Sequence, residues 1–356
     1  MLSRPLLAID IGGGTQDILL YRPDQPLENC VQLILPSPTV ICGRQVEAAT
    51  AARRDVFLTG YLMGGGALVG ALRRHLAAGL KVYATAAAAR TVYDDLDRVR
   101  QLGIEITEEP PGDAVTIKTG DVDLDTLAGS LAPYGVSLPA EVAIAVLDHG
   151  EAPKGTSDRF FRFQHWQRFV AGGGRLADLL YREPPRYLTR MQAVQEQVPG
   201  AWLMDTGAAA LWGALCDARV AAHSKEGLIV VNCGNQHTIG VLLQEQRVWG
   251  LFEHHTSCLS GHKLASFVEK LRAGELTNEE IFNDGGHGCY IDPGYRPGGG
   301  FRFVAVTGPQ RRLTIHQDYY WAAPYGDMML SGCFGLVAAV AGDIGKIALD
   351  RGQTLG

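Results

Sequence analysis

The segment Asp10-Ile11-Gly12-Gly13-Gly14-Thr15-Gln16-Asp17 gathers residue types that can hold a polyphosphate. Consecutive glycines let the backbone turn sharply and present N–H groups to an anion with no Cβ in the way. The Thr15 hydroxyl can donate to a phosphate oxygen. Asp10 ends the apolar run LLAIDI, where it can hold magnesium directly or through the waters that Mg²⁺ tends to keep. Asp17 falls on the same side as Thr15 if a strand begins there, by the two-residue period of strands. Two commoner motifs are excluded: a strand rather than a helix follows the glycines, and the lysine of a P-loop is missing. A ligand-free hairpin would have no use for three glycines flanked by two aspartates and a threonine.

A second polar set, DHGEAPKGTSDR at residues 148–159, follows the apolar run EVAIAVLD. Ligands of wound α/β sheets gather beyond the carboxyl ends of strands. Asp148 or His149 suits a general base, and Arg159 suits an anion. A solvated loop closed by local hydrogen bonds is the equal alternative. Asp205 opens the alanine-rich run DTGAAALWGALCD, where an N-cap is its first reading and a catalytic acid beside the ligand its second. The string His254, His255, Cys258, His262 offers donors that zinc accepts. It crosses a strand end and a helix start, so convergence is not expected. Residues 63–66 (MGGG) could meet phosphate at a helix N-terminus, with a close-packed turn preferred. The aromatic and basic residues from Phe160 to Arg168 read as core or as a partner surface.

The 356 residues exceed what one core needs and suit two α/β domains, with 46% hydrophobic and 20% charged residues arguing against disorder. A net charge of −6, with no basic arm, gives no general attraction to nucleic acid or to an anionic membrane. Apolar runs stay short of a membrane span. The opening MLSRPLLAIDI reads as a first strand rather than a targeting signal. Seven cysteines without a CxxC pair suggest free thiols in a reducing, cytoplasmic setting.

Positioning falls to alternating short strands and helices. DVFLTG, ALVGALRRHL and LKVYAT form a β-α-β unit, VYDDLDRVRQLG a helix and EVAIAVLD a buried strand. Such alternation predicts a wound α/β sheet. Residues 160–200 break the rhythm and read as an inserted or connecting region on the rim of a cleft. GLIVVNCG and HTIGVLL repeat the strand–turn–strand pattern of the opening, which suggests a duplicated domain. The division falls at 1–200 and 201–356, with an irregular or mobile loop at 291–300 and a final helix from about Asp327.

On these segments the chain resembles the superfamily of actin, the heat-shock chaperone ATPases, and the acetate and sugar kinases. DIGGGTQD looks like its first phosphate loop, and DTGAAALWGALCD like its connecting helix. GLIVVNCGNQHTIGVLL is similar to its second phosphate loop, and LSGHKLASFVEKL to the helix entered after the next hairpin. FVAVTGPQRR resembles the adenosine strand and turn. PYGDMMLSGCFGLVAAV resembles the final helix, whose Gly332 and Gly335 would let helices of two domains cross closely. The resemblance implies a duplicated ribonuclease-H-like (actin-like ATPase) fold around a nucleotide cleft, with ATP and Mg²⁺ as cofactors. It implies phosphate contacts from Gly12, Gly13, Gly14 and Thr15 on one side and from Asn232, Gly234, Asn235, His237 and Thr238 on the other. Gly308 and Pro309 would border the adenosine. Asn232 stands where relatives carry an aspartate, so binding is expected more firmly than rapid hydrolysis. A slow ATPase acting as an activator or switch follows, with an unidentified protein partner or small-molecule substrate. The alternatives are a small-molecule kinase using Asp148 or His149, and a non-enzymatic nucleotide-dependent scaffold. The nearer resemblance is to a prokaryotic branch labelled pyruvate formate-lyase-activating enzyme. This chain lacks the CxxxCxxC of such radical enzymes, so radical activation is not expected.

Overall fold

In the computed structural model, which describes residues 2–342 apart from Gly299, the chain opens with three antiparallel strands, β1 (Leu6–Ile11), β2 (Thr15–Tyr21) and β3 (Val31–Pro36). Helix α1 (Pro38–Ala51) leads into an excursion of β4 (Val56–Gly60), α2 (Gly66–Ala77), β5 (Val82–Ala84), α3 (Ala86–Ala89), α4 (Leu96–Gln101), β6 (Ile104–Ile106) and β7 (Val115–Thr119). Helix α5 (Leu124–Leu131) returns the chain to β8 (Val142–Val146). There follow α6 (Asp158–Ala171), α7 (Thr189–Gln197), β9 (Trp202–Met204), α8 (Thr206–Leu215) and α9 (Ala218–Ala222). A second hairpin set, β10 (Leu228–Cys233), β11 (His237–Gln244) and β12 (Arg247–His255), precedes α10 (Gly261–Ala273), α11 (Asn278–Asn283) and β13 (Gly288–Ile291). Strands β14 (Phe303–Thr307) and β15 (Tyr320–Trp321) and helix α12 (Ser331–Ala341) complete the described chain.

The two main sheets have one plan. The first runs β3-β2-β1-β8-β9, an antiparallel meander with β8 and β9 parallel to β1. The second runs β13-β12-β11-β10-β14-β15, the same five-strand order and directions with β13 added at the edge. Even the turns agree: the Gly12 N–H donates to Thr15 O at 2.9 Å, and the Gly234 N–H to His237 O at 2.9 Å. This is the duplicated ribonuclease-H-like, actin-like ATPase fold. Asp10 and Asn232 occupy corresponding positions, one before the end of each first strand.

Period-two alternation decides what each strand presents. Leu6 and Ala8 of β1 join Leu228 and Val230 of β10 in one core around α8 and α12, whereas Leu7, Ile9 and Ile11 face a separate core under α5 and α7. Helix α12 packs on α8 and reaches β1, β2 and β8; α8 touches β10 and β14. The two helices therefore form a layer shared by both sheets. Gly335 lies where a Cβ would run into the Ala209 carbonyl, and Gly332 where it would run into Asp10. Close approach is what those glycines are for.

Two sequence expectations need correction, the place of β4 to β7 and the boundary at residue 200. Strands β4 to β7 do not join the first sheet but form their own parallel sheet, ordered β6-β5-β4-β7, with α1, α2 and α3 on its core. Buried parallel strands read alike wherever they pair, so sequence could not assign them. Residues 160–200 lie in the β8–β9 crossover, the connecting of the two readings, and Phe163, Trp166 and Val170 of α6 are buried in the shared core. Strand β9 pairs with β8, so the first sheet runs past residue 200. The loop at 291–300 is irregular yet tied down: Tyr295 is buried and donates its hydroxyl to Arg272 O at 2.8 Å. Residue 299 of that loop and residues 343–356 of the second half lie outside the described residues.

Candidate functional site

A cleft of about 520 Å³ opens where the two sheets and the inserted sheet converge. That volume is ordinary for a small-molecule site. The first glycine turn contributes Gly12 and Gly13, and the second contributes Asn232, Gly234, Asn235, Gln236 and His237. The loop beyond the carboxyl end of β4 supplies residues 62–66, as expected of wound sheets, and the loop between α3 and α4 supplies residues 90–95. Residues 63–66, read from sequence as a closed turn, thus line the cleft at the start of α2.

The two turns touch. A Cβ on Gly13 would meet Gln236 Cδ at 2.5 Å, and one on Gly14 would meet Asn235 Nδ2 at 2.9 Å. Both amide side chains are exposed, and Gln310 Nε2 donates to Asn235 Oδ1 at 3.2 Å.

Behind the first turn, Asp10 and Asp17 are direct cross-strand partners. Asp10 shares the face of Leu6 and Ala8, so its side chain packs against Gly332 at the start of α12 and is not part of the cleft lining. Each carboxylate has one buried oxygen, Oδ1, with no hydrogen-bond partner. Burial, then Asp17 and Asp205, push the Asp10 carboxyl well above its usual range. Burial pushes Asp17 up to about 7, with Asp327 adding to the rise and hydrogen bonding to Thr15 opposing it. Two adjoining carboxylates, Asp17 buried and Asp10 half-buried, each with an orphaned oxygen, fit a divalent cation, which oxygen donors and negative charge favour.

On the other side of the cleft sits a buried ion cluster. Arg162 Nε donates to both Glu253 oxygens at 2.9 Å, and its Nη1 donates to Asp205 Oδ2 at 2.9 Å and to Asp148 O at 2.7 Å. Burial alone would raise Glu253, but Arg162, then His287 and His237, hold it well below the carboxylate range. Beside it stand four histidines. His237 Nδ1 lies 3.1 Å from Glu253 Oε1, and His149, His255 and His287 ring it with centroids 5.4, 5.1 and 4.7 Å away. Burial, then the positive neighbours, lowers His149 well below its ordinary value and takes His287 to about 3 against the pull of Glu253.

Several sequence assignments change. Thr238 is buried and bonds Thr256 Oγ1 at 3.0 Å, so it braces the second turn instead of meeting phosphate. Gly308 packs on Asn232 and Cys233; neither it nor Pro309 lines the cleft. Asp148 lines the cleft, but its oxygens accept from Gly150 N at 2.8 Å and Met191 N at 2.9 Å, which leaves it ill placed as a base. Asp205 is an N-cap, accepting from Gly207 N at 2.9 Å, and an ion-pair partner. Arg159 spends a donor on Gly286 O at 2.6 Å. The string from His254 to His262 does not converge: His254 is buried against Asp284 at 3.0 Å, and Cys258 is exposed. Sequence reasoning missed Arg162, Glu253 and His287. Only His287 carried a signal, its flanking glycines in GGHG.

Among the described residues no three cysteine sulfurs gather within reach of one ion, so the cysteines do not fit an iron–sulfur cluster. No described helix is long and apolar enough to cross a membrane.

No curated protein matches the chain in sequence. Among solved structures it is similar to a Bacteroides thetaiotaomicron protein with an actin-like ATPase fold and unknown function, at 7% identity and TM-score 0.33 over 88% of this chain and 87% of that one. It is similar to the ethanolamine utilization protein EutJ from Carboxydothermus hydrogenoformans, at 12% identity and TM-score 0.31 over 94% and 90%. A chain of the PilM-PilN type IV pilus biogenesis complex matches at 12% identity and TM-score 0.36 over 95% and 98%. Strand order, not these superpositions, carries the fold assignment. A family model described as "Putative pyruvate format-lyase activating enzyme (DUF1786)" matches residues 63–313, and the chain belongs to that family.

Proposed function

We propose that the protein binds a nucleoside triphosphate, ATP by preference, with magnesium between its two glycine turns and acts as a slow, ATP-driven conformational switch. The observation that supports this most is the pairing of the turns: the same N–H to carbonyl hydrogen bond closes each one, and their residues meet across one cleft. The orphaned oxygens of Asp10 and Asp17 lie behind the first turn. The backbone N–H groups of Gly13 and Gly14 and the Thr15 hydroxyl would hold phosphate oxygens, with Gly12 closing the turn and Asp10 and Asp17 holding the cation. Bound magnesium would neutralise phosphate charge. Asn232 would donate an amide N–H from the end of β10.

Phosphate entering between the turns would displace Asn235 and Gln236, the side chains through which the turns touch. Occupancy would then be felt as a change in domain approach, which is what a switch requires. Turnover should be slow, because the second turn offers Asn232 in place of a carboxylate and Glu253 is committed to Arg162. A protein partner that reads the closed state fits this reading.

Thermal unfolding with and without Mg-ATP tests it. At a hundredfold excess over the dissociation constant, mass action adds about 2.7 kcal/mol of stability. Asp10→Asn should lose most of the shift. An equal shift in that variant would remove Asp10 from the site.

A further inference from the structure

We propose that His149, His237 and His287 form a site for one divalent transition-metal ion, with zinc the simplest occupant, joining the two domains inside the cleft. The rings come from three separated segments: His149 from the loop after β8, His237 from the first position of β11, and His287 from the position before β13. One ring nitrogen from each lies within 4.8 Å of the others. Zinc–nitrogen bonds of about 2.0–2.1 Å in a tetrahedron place ligand nitrogens roughly 3.3 Å apart. Small ring rotations, of about an ångström, close that gap.

Two further observations point to a ligand. His287 is fully buried, and neither of its ring nitrogens has a hydrogen-bond partner. Unpaired buried polar groups are rare in folded proteins and call for an explanation, and a metal ion supplies one. His237 presents Nδ1 to Glu253 at 3.1 Å. A carboxylate only accepts, so Nδ1 carries the proton and Nε2 keeps its lone pair. That carboxylate–histidine arrangement orients metal-binding imidazoles. Arg162, bonded to Glu253 through Nε and Nη2, fixes the carboxylate in turn.

Imidazole donors favour zinc, cobalt, nickel, copper or iron over magnesium, which separates this site from Asp10 and Asp17. Three protein ligands facing a cavity leave a fourth position for water or an anionic ligand, the pattern of reactive rather than structural zinc. Because His149 belongs to the first domain and the other two to the second, the ion would also hold the cleft closed. None of this requires that nucleotide bind.

Metal-free protein, prepared with a chelator, should be titrated with Zn²⁺ against a chromophoric chelator and with Co²⁺ by visible absorption, nucleotide being absent. One ion per chain is expected, with cobalt bands of nitrogen coordination and no thiolate charge-transfer band. Excess Mg²⁺ should not displace it. His149→Ala, His237→Ala and His287→Ala should each weaken binding about a hundredfold or more, on the scale at which even outer-shell changes reach ten- to hundredfold. Cys258→Ala and His262→Ala should leave it intact. Should a histidine variant fail to fold, the cobalt spectrum of the wild type still decides. No ion held at micromolar concentration, a thiolate band, or loss of binding in Cys258→Ala or His262→Ala would overturn the assignment.

Discussion

Asp94 shows what the cleft asks of single residues. It lies at the mouth of the cleft, and burial, then Glu151, Asp148 and Asp158, raise its carboxyl from the ordinary 3.8 to about 6 against the pull of Arg90. Between those values the folded state holds a proton that the unfolded state has lost, so stability falls as pH rises through that window. Asp94→Asn should therefore raise Tm above about pH 6 and leave it unchanged near pH 4, checked by unfolding at both ends; a gain that does not vary with pH would contradict this. Asn232 carries the second consequence. It corresponds in the duplicated fold to Asp10, and Asn232→Asp should raise basal phosphate release without much change in ADP affinity. Wild-type turnover already within the ~1–100 s⁻¹ of kinases would show that the amide limits nothing. DIGGGTQD was legible because its chemistry sits in eight consecutive residues. The histidine trio was not, because three segments meet only after the sheets pack.

Among elements, α6 departs most from what its composition suggests. Its run of aromatic and basic residues reads as core or as a partner surface, and even its Arg162 is buried, between Asp205 and Glu253, linking the first domain's crossover to β12. Breaking such a pair leaves unpaired buried charge. Arg162→Met should cost about 3–5 kcal/mol, measured by denaturant unfolding, and a loss under 1 kcal/mol would show that the cluster is dispensable. No sequence pattern separates a buried arginine from a solvated one when its partners lie 43 and 91 residues away. The hairpins and the helices α8, α10 and α12 were readable, because turn glycines and apolar runs mark them locally. The final helix begins at Ser331, a turn after the expected Asp327, which instead accepts from Met329 N through Oδ1 at 2.7 Å in the bend before the helix.

At the scale of the molecule, two copies of one fold meet through α8 and α12, and the inserted sheet of β4 to β7 adds a third wall to the cleft. Duplication was visible in sequence as two strand–turn–strand segments. The third sheet was hidden, because its apolar strands look like any others. The turns should part to admit phosphate, and the cation held by Asp10 and Asp17 should be required. Isothermal titration calorimetry with ATP tests this most directly, performed with Mg²⁺, with a chelator, and on Asp10→Asn. One site per chain is expected for Mg-ATP, with binding largely lost in the other two titrations. Absence of adenine nucleotide binding at millimolar concentration, or binding indifferent to both magnesium and Asp10, would contradict it.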